Sequence, residues 1–267
     1  MSLRVESHGN GAPLLLIHGW GMHGGMWGDL VPQLAQQFRV HVVDLPGHGL
    51  SAGQTLLRHG DDGAAATADQ LLDAVVDELS AQFATPLNVC GWSLGGLVAL
   101  RWALRQPQQV KRLVLLASTP CFVQRPDWPC AMASETLAEF AEALQQNYAQ
   151  TLRRFLALQV RGSEYERELL ATLRATLFAR GEPDSAALQA GLALLRDCDL
   201  RGALSEVEQP VLVIAGERDT LTPLRAAQYL AQQAANAQLA VIHGAAHAPF
   251  LSHPAEVMEH LKNFLHE

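Results

Sequence analysis

Short apolar runs that alternate with amphipathic stretches place the strongest limit on how this chain can fold. Each run has a few Val, Ile and Leu residues bounded by Gly, Pro, Asn or Asp, which is typical of a strand buried on both faces. The six runs are PLLLIHG from residue 13, FRVHVVDLPGHG from 38, PLNVCGWS from 86, VKRLVLLAS from 110, QPVLVIAGERD from 209 and AQLAVIHGAAH ending at 247. Helical patterns occupy residues 67–83, 94–106, 224–235 and 254–266. The alternation predicts an α/β fold, a mostly parallel sheet with helices on both faces.

The alternation is interrupted between residues 119 and 197. The segment STPCFVQRPDWPC contains three prolines and is typical of an irregular linker. Three helical patterns without a strand follow it, at residues 135–160, 164–180 and 185–197. We therefore predict a core formed by residues 1–118 and 198–267, with residues 119–197 inserted as a helical cap of ordinary domain size. A cap over an active site is the functional interpretation, and a structural appendage is the alternative.

Composition excludes several classes of protein. The 267 residues are 49% apolar and 17% charged, which is too apolar for a disordered chain. The net charge of −8 gives no reason to expect binding to nucleic acid. No run reaches the ~18 apolar residues of a membrane span. The N-terminal MSLRVESHGNGAP lacks the apolar stretch of a secretory signal, so we expect a cytoplasmic protein.

The four cysteines show no spacing typical of a zinc site. Four free thiols in a reducing cytosol are expected, and a disulfide between Cys121 and Cys130 is the alternative. We expect the protein to need neither a metal nor an organic cofactor.

The sequence GWSLG at residues 91–95 matches the nucleophile elbow G-x-S-x-G. A strand-like run precedes it and a helical pattern follows it, which is the context the motif requires. The elbow would hold Ser93 in a sparsely populated backbone conformation at a sharp turn, with its hydroxyl exposed at the carboxyl edge of the sheet. The alternative is a tight strand-to-helix turn with an inert serine.

A serine hydroxyl needs a base, and the base needs an acid to orient it. In this fold the expected chain order is serine, acid, histidine. Asp219 ends the run VLVIAGERD, and His247 follows the last strand-like run. The predicted triad is therefore Ser93, Asp219 and His247. Other polar residues of these regions are interpreted as structural or solvated; they are Asp197, Asp199, Glu217, Arg218, His243 and His253.

An ester hydrolase also needs backbone N–H groups that stabilise the oxyanion of the tetrahedral intermediate. Leu94, the residue after the serine, supplies one, and the loop HGWG after the first apolar run supplies the other. Trp20 is the candidate in that loop, and its ring is expected to form a wall of the pocket. His18, Asp44 and His48 are interpreted as structural.

The chain resembles the α/β-hydrolase superfamily over its whole length, since HGWG, DLPGHGLS, GWSLGG, GERD and GAAHAP occur in the expected order. Within it, the chain is most similar to the pimeloyl-[acyl-carrier protein] methyl ester esterases of bacterial biotin synthesis. The stretches GWSLGGLVA, PCFVQRPDWP, RRFLALQ and AAHAPFLSHPAE carry this likeness. Two of them lie in the predicted cap, where hydrolases of this fold differ most.

The resemblance implies a set of site residues. Ser93, Asp219 and His247 match the family's triad, and Trp20 and Leu94 match its oxyanion and substrate contacts. The substrate-lining stretch of the cap corresponds to Phe155, Leu156, Ala157, Leu158 and Gln159. The family's cap arginines, which bind the acidic carrier protein, correspond to Arg154 and Arg167, while Gln150 and Ala171 occupy two further basic positions.

Charge in the cap agrees with that implication but has a second interpretation. Between residues 149 and 180 there are six arginines and three glutamates, a local charge of 6 − 3 = +3 in an acidic chain. Such a patch can steer an acidic partner. Arginine beside glutamate is also the ordinary composition of a solvated helix face.

The expected activity is hydrolysis of a carboxylic ester through an acyl-enzyme, with methanol as the leaving alcohol of the family substrate. Acyl-carrier protein bearing a pimeloyl methyl ester is the expected partner, and we expect a monomer. A broad short-chain esterase, or a C–C or thioester hydrolase, is the alternative enzyme, since the same elbow serves these reactions. A non-catalytic ligand receptor of the same fold is the alternative outside enzymes.

Overall fold

The computed structural model describes residues 3–54, 66–163 and 165–266. Seven strands form one sheet in the order β1-β3-β2-β4-β5-β6-β7. The strands are β1 (Val5–His8), β2 (Ala12–Ile17), β3 (Phe38–Val43), β4 (Leu87–Trp92), β5 (Val110–Leu116), β6 (Val211–Gly216) and β7 (Ala237–Ile242). The six predicted strands are all present, and the prediction of a mostly parallel sheet is confirmed.

The additional strand, β1, was not predicted. It pairs antiparallel with β3 at the edge of the sheet, with Val5 opposite Val43 and His8 opposite Val40. Its sequence VESH has one apolar residue, and its side chains are half-buried or exposed. An edge strand of this kind lacks the continuous apolar run that marks the strands buried on both faces.

Helices cover both faces of the sheet. They are α1 (Leu30–Leu34), α2 (Ala68–Gln82), α3 (Leu94–Arg105), α4 (Ser134–Gln146), α5 (Tyr148–Val160), α6 (Glu166–Leu177), α7 (Ser185–Asp197), α8 (Leu224–Gln233), α9 (Pro249–Ser252) and α10 (Pro254–His266). Helix α2 begins with a capping box between Thr67 and Gln70, which satisfies backbone donors that the first turn leaves unpaired. Within the described residues, no helix combines the length and the hydropathy needed to span a membrane.

Helices α4 to α7 follow one another between β5 and β6, where a helical cap was predicted. The long pattern at residues 135–160 forms two helices that meet at Asn147. Asn147 ends α4 with an extended φ of −154°, and its side chain accepts a hydrogen bond from the backbone N–H of Gln150. Asparagine favours such caps because its side chain replaces a missing intrahelical acceptor.

The core lies in the sheet and at its contact with α3. In β2, residues 14–17 are fully buried, as are Val89 and Cys90 in β4. Because the parallel strands end at one edge, the loops after β2, β4, β6 and β7 meet there, and these loops contain the predicted site residues.

Candidate active site

Ser93 occupies the turn between β4 and α3. Its backbone has φ 55° and ψ −118°, a conformation that costs a non-glycine residue about 1–3 kcal/mol and that clusters at functional sites. The neighbouring strand β5 holds the turn, since Ser93 N–H donates to the Leu116 carbonyl at 3.0 Å. The Ser118 hydroxyl donates to the Ser93 carbonyl at 2.7 Å. The strain is therefore supported from β5 and the residues after it.

The glycines around Ser93 are required by close backbone contacts. A Cβ at Gly91 would lie 2.2 Å from the Gly95 carbonyl oxygen, and one at Gly95 would lie 2.2 Å from the carbonyl oxygen of Ile17. Side chains at either position would separate α3 from β4 and β2. The glycines thus allow the sharp turn that brings Ser93 to the edge of the sheet.

Asp219 follows β6 and is held by its own turn. Its Oδ1 accepts hydrogen bonds from the N–H groups of Leu221 at 2.8 Å and Thr222 at 2.9 Å. Its Oδ2 accepts the Thr222 hydroxyl at 2.7 Å. These donors satisfy a carboxylate whose side chain is fully buried.

His247 follows β7 and contacts the same carboxylate. Its Nδ1 lies 2.7 Å from Asp219 Oδ2, and the imidazole is buried. A carboxylate accepts hydrogen bonds, so the proton is assigned to Nδ1, which leaves Nε2 as the free acceptor. This tautomer is the one that a general base uses toward a serine hydroxyl.

A direct hydrogen bond ties the histidine loop to the strand that carries the serine. The indole Nε1 of Trp92 donates to the His247 carbonyl at 2.9 Å. Trp92 also packs edge-to-face on Phe250, with ring centroids 5.0 Å apart. The position of His247 is thereby set relative to the residue that precedes Ser93.

The loop after β2 approaches the serine closely. A Cβ at Gly19 would lie 3.3 Å from the Cβ of Ser93. The N–H groups of Trp20 and Leu94 make no hydrogen bond with any described residue. Leu94 is the first residue of α3, where N–H groups lack intrahelical partners and the helix dipole favours negative charge. Both donors are therefore free for an oxyanion.

His18 lies beneath this loop with both ring nitrogens engaged. Its Nδ1 lies 2.8 Å from the Gly19 carbonyl, and its Nε2 accepts the Leu45 N–H at 2.9 Å. Burial, with the neighbouring His48 second, lowers the pKa of His18 to about 3. A neutral imidazole with these partners holds the loop in place.

Trp20 joins the core to the cap. Its indole Nε1 donates to the carbonyl of Leu188 in α7 at 2.9 Å. Its ring packs edge-to-face on Phe140 of α4 and Phe155 of α5, with centroids 5.2 and 5.1 Å apart. Gly191 of α7 leaves the space for this ring, since a Cβ there would lie 2.5 Å from Trp20 Cδ1.

An apolar cavity of about 320 Å³ lies between the cap helices and the loop after β6. Trp20 lines it, together with Phe140, Phe155 and Leu158 from the cap. Leu221, two residues after Asp219, also lines it. The cavity is therefore next to the acid of the predicted triad and has the apolar lining that an acyl chain requires.

Known proteins resemble this chain over most of its length. Residues 12–254 match the family model described as alpha/beta hydrolase fold. The pimeloyl-[acyl-carrier protein] methyl ester esterase of Nitrosomonas europaea is 47% identical over 255 residues, 96% of each chain. The esterase with the same name from Xanthomonas campestris pv. campestris is 45% identical over 264 residues, 98% of each chain. The chain belongs to the α/β-hydrolase family, among the pimeloyl-[acyl-carrier protein] methyl ester esterases. The predicted family and fold class are thus confirmed.

Solved structures of the α/β-hydrolase family agree. An esterase (EaEST) from Exiguobacterium antarcticum has a TM-score of 0.86 at 23% identity, covering 99% of this chain and 96% of its own. A hydrolase from Pseudomonas aeruginosa PA01 has a TM-score of 0.80 at 28% identity, covering 99% and 94%. Because the esterase from Exiguobacterium antarcticum is only 23% identical, its similarity shows the fold alone.

The five predicted substrate-lining residues, at positions 155–159, differ in their surroundings. Phe155 and Leu158 line the cavity, while Leu156 is fully buried in the core. Ala157 is half-buried. The carbonyl of buried Gln159 accepts the Ala248 N–H at 3.1 Å, which ties α5 to the residue after His247. The stretch thus both lines the cavity and anchors the cap to the histidine loop.

The two predicted docking arginines lie on the outer surface of the cap. Arg154 is on α5 and Arg167 is on α6, and both are exposed. Nearby, Arg153 lies over the ring of Phe178, 6.0 Å from its centroid. Glu164, one of the three glutamates in the charge count, lies outside the described residues.

The residues interpreted as structural have partners of their own. Asp44 accepts the backbone N–H groups of Gly24 and Leu50 and pairs with Arg180 at 3.1 Å. Of the remaining carboxylates, Asp197 contacts Arg196, Asp199 contacts Arg201 and Glu217 contacts His243.

Three contacts at this site were not anticipated from the sequence: the Thr222 hydroxyl on Asp219, the Ser118 hydroxyl on Ser93, and Gly191 under Trp20. Thr222 lies close to the GERD motif, so proximity in sequence was an available signal. The other two contacts join distant parts of the chain, and no local pattern marks them.

Proposed function

We propose that this protein hydrolyses the methyl ester of pimeloyl-acyl-carrier protein, releasing methanol and the free carboxylate in biotin synthesis. The observation that carries the proposal is the Asp219–His247 hydrogen bond of 2.7 Å beside a strained serine elbow. The full-length similarity to esterases named for this substrate supports the choice of ester.

In the first half-reaction, Ser93 is the nucleophile. His247 Nε2 takes the hydroxyl proton while Asp219 stabilises the resulting imidazolium. The Ser93 oxygen adds to the ester carbonyl, and the N–H groups of Trp20 and Leu94 bind the oxyanion. His247 then returns the proton to the methoxide as the C–O bond breaks, so methanol leaves and the acyl group stays on Ser93.

In the second half-reaction, water replaces the serine. His247 takes a proton from the water, whose oxygen adds to the acyl-enzyme carbonyl. Collapse of this intermediate returns the proton to Ser93 and releases the carboxylate. The atoms balance as ester plus water giving acid plus methanol, and the scheme requires no cofactor.

The carrier-bound acyl chain lies in the apolar cavity lined by Phe155 and Leu158. Its thioester end leads out toward the exposed cap face, where Arg154 and Arg167 bind acidic side chains of the carrier protein. We infer a cytoplasmic monomer that binds neither nucleic acid nor membrane, in keeping with the acidic chain and its four free thiols.

The catalytic assignment is tested with two variants of the predicted triad and one control variant. Ser93→Ala and His247→Gln are each expected to lower kcat on methyl pimeloyl-carrier protein by about 10⁴-fold or more. His243→Gln replaces an exposed histidine four residues earlier and is expected to retain activity. Methanol release at the wild-type rate by Ser93→Ala would refute the mechanism.

The docking assignment has a separate test. Arg154→Glu and Arg167→Glu are expected to raise KM for the carrier-bound ester and to leave the rate on dimethyl pimelate unchanged. Arg225→Glu, on the exposed side of α8, is the charge-matched control. Equal effects on both esters would refute docking at the cap, and wild-type preference for free short-chain esters would favour the broad esterase instead.

A further inference from the structure

Among the residues that the structure describes, one cationic side chain lines the apolar cavity. Arg161 contributes to the wall formed by α4, α5, α7 and the loop after β6. The other lining residues are apolar except for two threonines, Thr136 and Thr220. A guanidinium beside an apolar lining is complementary to a molecule that has a hydrocarbon chain and one anionic end.

The position of Arg161 is held relative to the predicted triad. It directly follows α5, and the next residue, Gly162, accepts a hydrogen bond from Arg218 at 2.7 Å through its carbonyl. Arg218 immediately precedes Asp219 in the loop after β6. The residue two positions before Arg161, Gln159, is bonded to the loop of His247. Both catalytic loops therefore contact the segment that carries Arg161.

The charge on Arg161 is available to a ligand. Arg161 is exposed, and it forms no ion pair with a carboxylate in residues 3–54, 66–163 or 165–266. Glu166, on the following helix, uses its carboxylate to accept the N–H of Gly162. Arg218 donates to the Gly162 carbonyl and is not among the described residues that line the cavity. Arg161 thus lines a cavity in which no acidic residue is found among the described lining residues.

We propose that Arg161 is a carboxylate-binding residue, and that the enzyme also hydrolyses free methyl half-esters of medium-chain dicarboxylic acids. The proposal rests on the proposed esterase function of Ser93, because the ester end of the half-ester occupies the same catalytic position. The hydrocarbon chain occupies the apolar cavity, and the opposite carboxylate binds Arg161. Water is consumed, methanol leaves, and the product is the free dicarboxylate.

A carboxylate fits this position better than the phosphate of a carrier arm does. In a half-ester the anion is attached directly to the end of the hydrocarbon chain. In the carrier-bound substrate that end is a neutral thioester, and the phosphate follows only after the full pantetheine arm. A cation in the wall of the acyl cavity is therefore placed for an anion at the end of the chain.

The test compares two free esters that differ in one charge. Monomethyl pimelate carries the carboxylate, and dimethyl pimelate replaces it with a neutral ester. For Arg161→Gln, the ratio of kcat/KM for monomethyl to dimethyl pimelate is expected to fall about 5-fold, through KM, as removal of an exposed ion pair predicts. Arg174→Gln, an exposed cap arginine on α6 that does not line the cavity, is expected to leave this ratio unchanged.

Each further outcome decides between explanations. An unchanged ratio in Arg161→Gln, with dimethyl pimelate still hydrolysed, overturns the carboxylate site. Two further substrates, methyl pimeloyl-pantetheine and its 4′-phosphate, test the phosphate as the alternative anion for Arg161. Loss confined to the phosphorylated compound assigns Arg161 to the carrier arm and overturns the half-ester proposal. If wild type hydrolyses dimethyl pimelate but not the carrier-bound ester, the proposed function fails, whereas the ratio still decides the role of Arg161.

Discussion

The Thr222 hydroxyl donates to Oδ2 of Asp219 at 2.7 Å, and this same oxygen accepts the hydrogen bond of His247 Nδ1. The other carboxylate oxygen is held by two backbone N–H groups of the same turn. The orientation of the imidazole that we propose as the catalytic base therefore depends on a carboxylate whose rotation is blocked by Thr222. Thr222 itself is buried and is not among the described residues that line the apolar cavity, so we infer that its role is to position Asp219.

Thr222→Val keeps the shape of the side chain and removes the donor. We expect kcat to fall about 10-fold with little change in KM, since one hydrogen bond to a charged group is lost. Thr222→Ser restores the hydroxyl and is expected to recover most of kcat. Steady-state kinetics on the methyl ester distinguish this from a packing effect, because Ser lacks the methyl group and would fail to rescue if packing mattered.

Gly191→Ala tests the contact between the cap and Trp20. The new Cβ would lie 2.5 Å from Trp20 Cδ1 and 3.0 Å from its Nε1, so the indole must move off its bond to Leu188. We expect a loss of about 1–3 kcal/mol in the free energy of unfolding and a fall in kcat/KM. In an unobstructed helix the same change would stabilise by about 1 kcal/mol.

Gly202→Ala is the matched control for that variant, because nothing lies within 4 Å of its Cβ position. Urea unfolding and ester hydrolysis are measured on both proteins. Stabilisation by Gly191→Ala, or equal behaviour of the two variants, would contradict the contact.

Arg180→Met tests an ion pair between the cap and the core. Arg180 pairs with Asp44, whose side chain is 1% exposed, and with Glu6 of β1. Removing the guanidinium leaves a buried carboxylate without its cation, and we expect the free energy of unfolding to fall by about 2 kcal/mol or more. Arg196→Met removes a pair whose members are 65% and 45% exposed, and it is expected to cost less than about 0.5 kcal/mol. Similar urea midpoints for the two variants would contradict the role of Arg180.

The buried histidines make stability depend on pH. Burial, followed by the charge of His48, lowers the pKa of His18 from 6.5 to about 3. Below pH 6.5 the unfolded chain gains a proton at this residue that the folded protein does not accept. The contribution is present above pH 6.5 and is lost as pH falls toward 3, at up to about 1.4 kcal/mol per pH unit. The pKa values of His23 and His48 are lowered in the same direction, mainly by burial.

Unfolding by urea at a series of pH values between 7 and 4 measures this slope. His18→Gln is expected to be less stable at pH 7, because two hydrogen bonds are lost, and to have a shallower slope. His243→Gln serves as the exposed control. A His18→Gln protein with the wild-type slope would show that other groups determine the acid sensitivity.

Local signals were sufficient for much of the architecture. The six parallel strands, β2 to β7, are marked by apolar runs, and α7 spans Ser185–Asp197, the predicted residues, because its apolar periodicity is uninterrupted. The edge strand β1 and the break at Asn147 were missed. The apolar pattern of β1 is weak, and this strand forms because it pairs with the distant strand β3. The helical pattern around Asn147 is continuous, and a single cap decides where it breaks.

By itself, the sequence determined the order of the chemical groups: a serine between glycines after the third parallel strand, then an acid and a histidine after the last two. Each of these assignments depends on residues that are adjacent in sequence, because their apolar periodicity and turn residues mark the end of a strand directly. Only the tertiary structure decided what surrounds them. Trp20 bonds to a carbonyl 168 residues away, and Ser118, which lies just after β5, supports Ser93 through its hydroxyl. Such contacts depend on close packing between distant segments, for which a linear pattern carries no distance information.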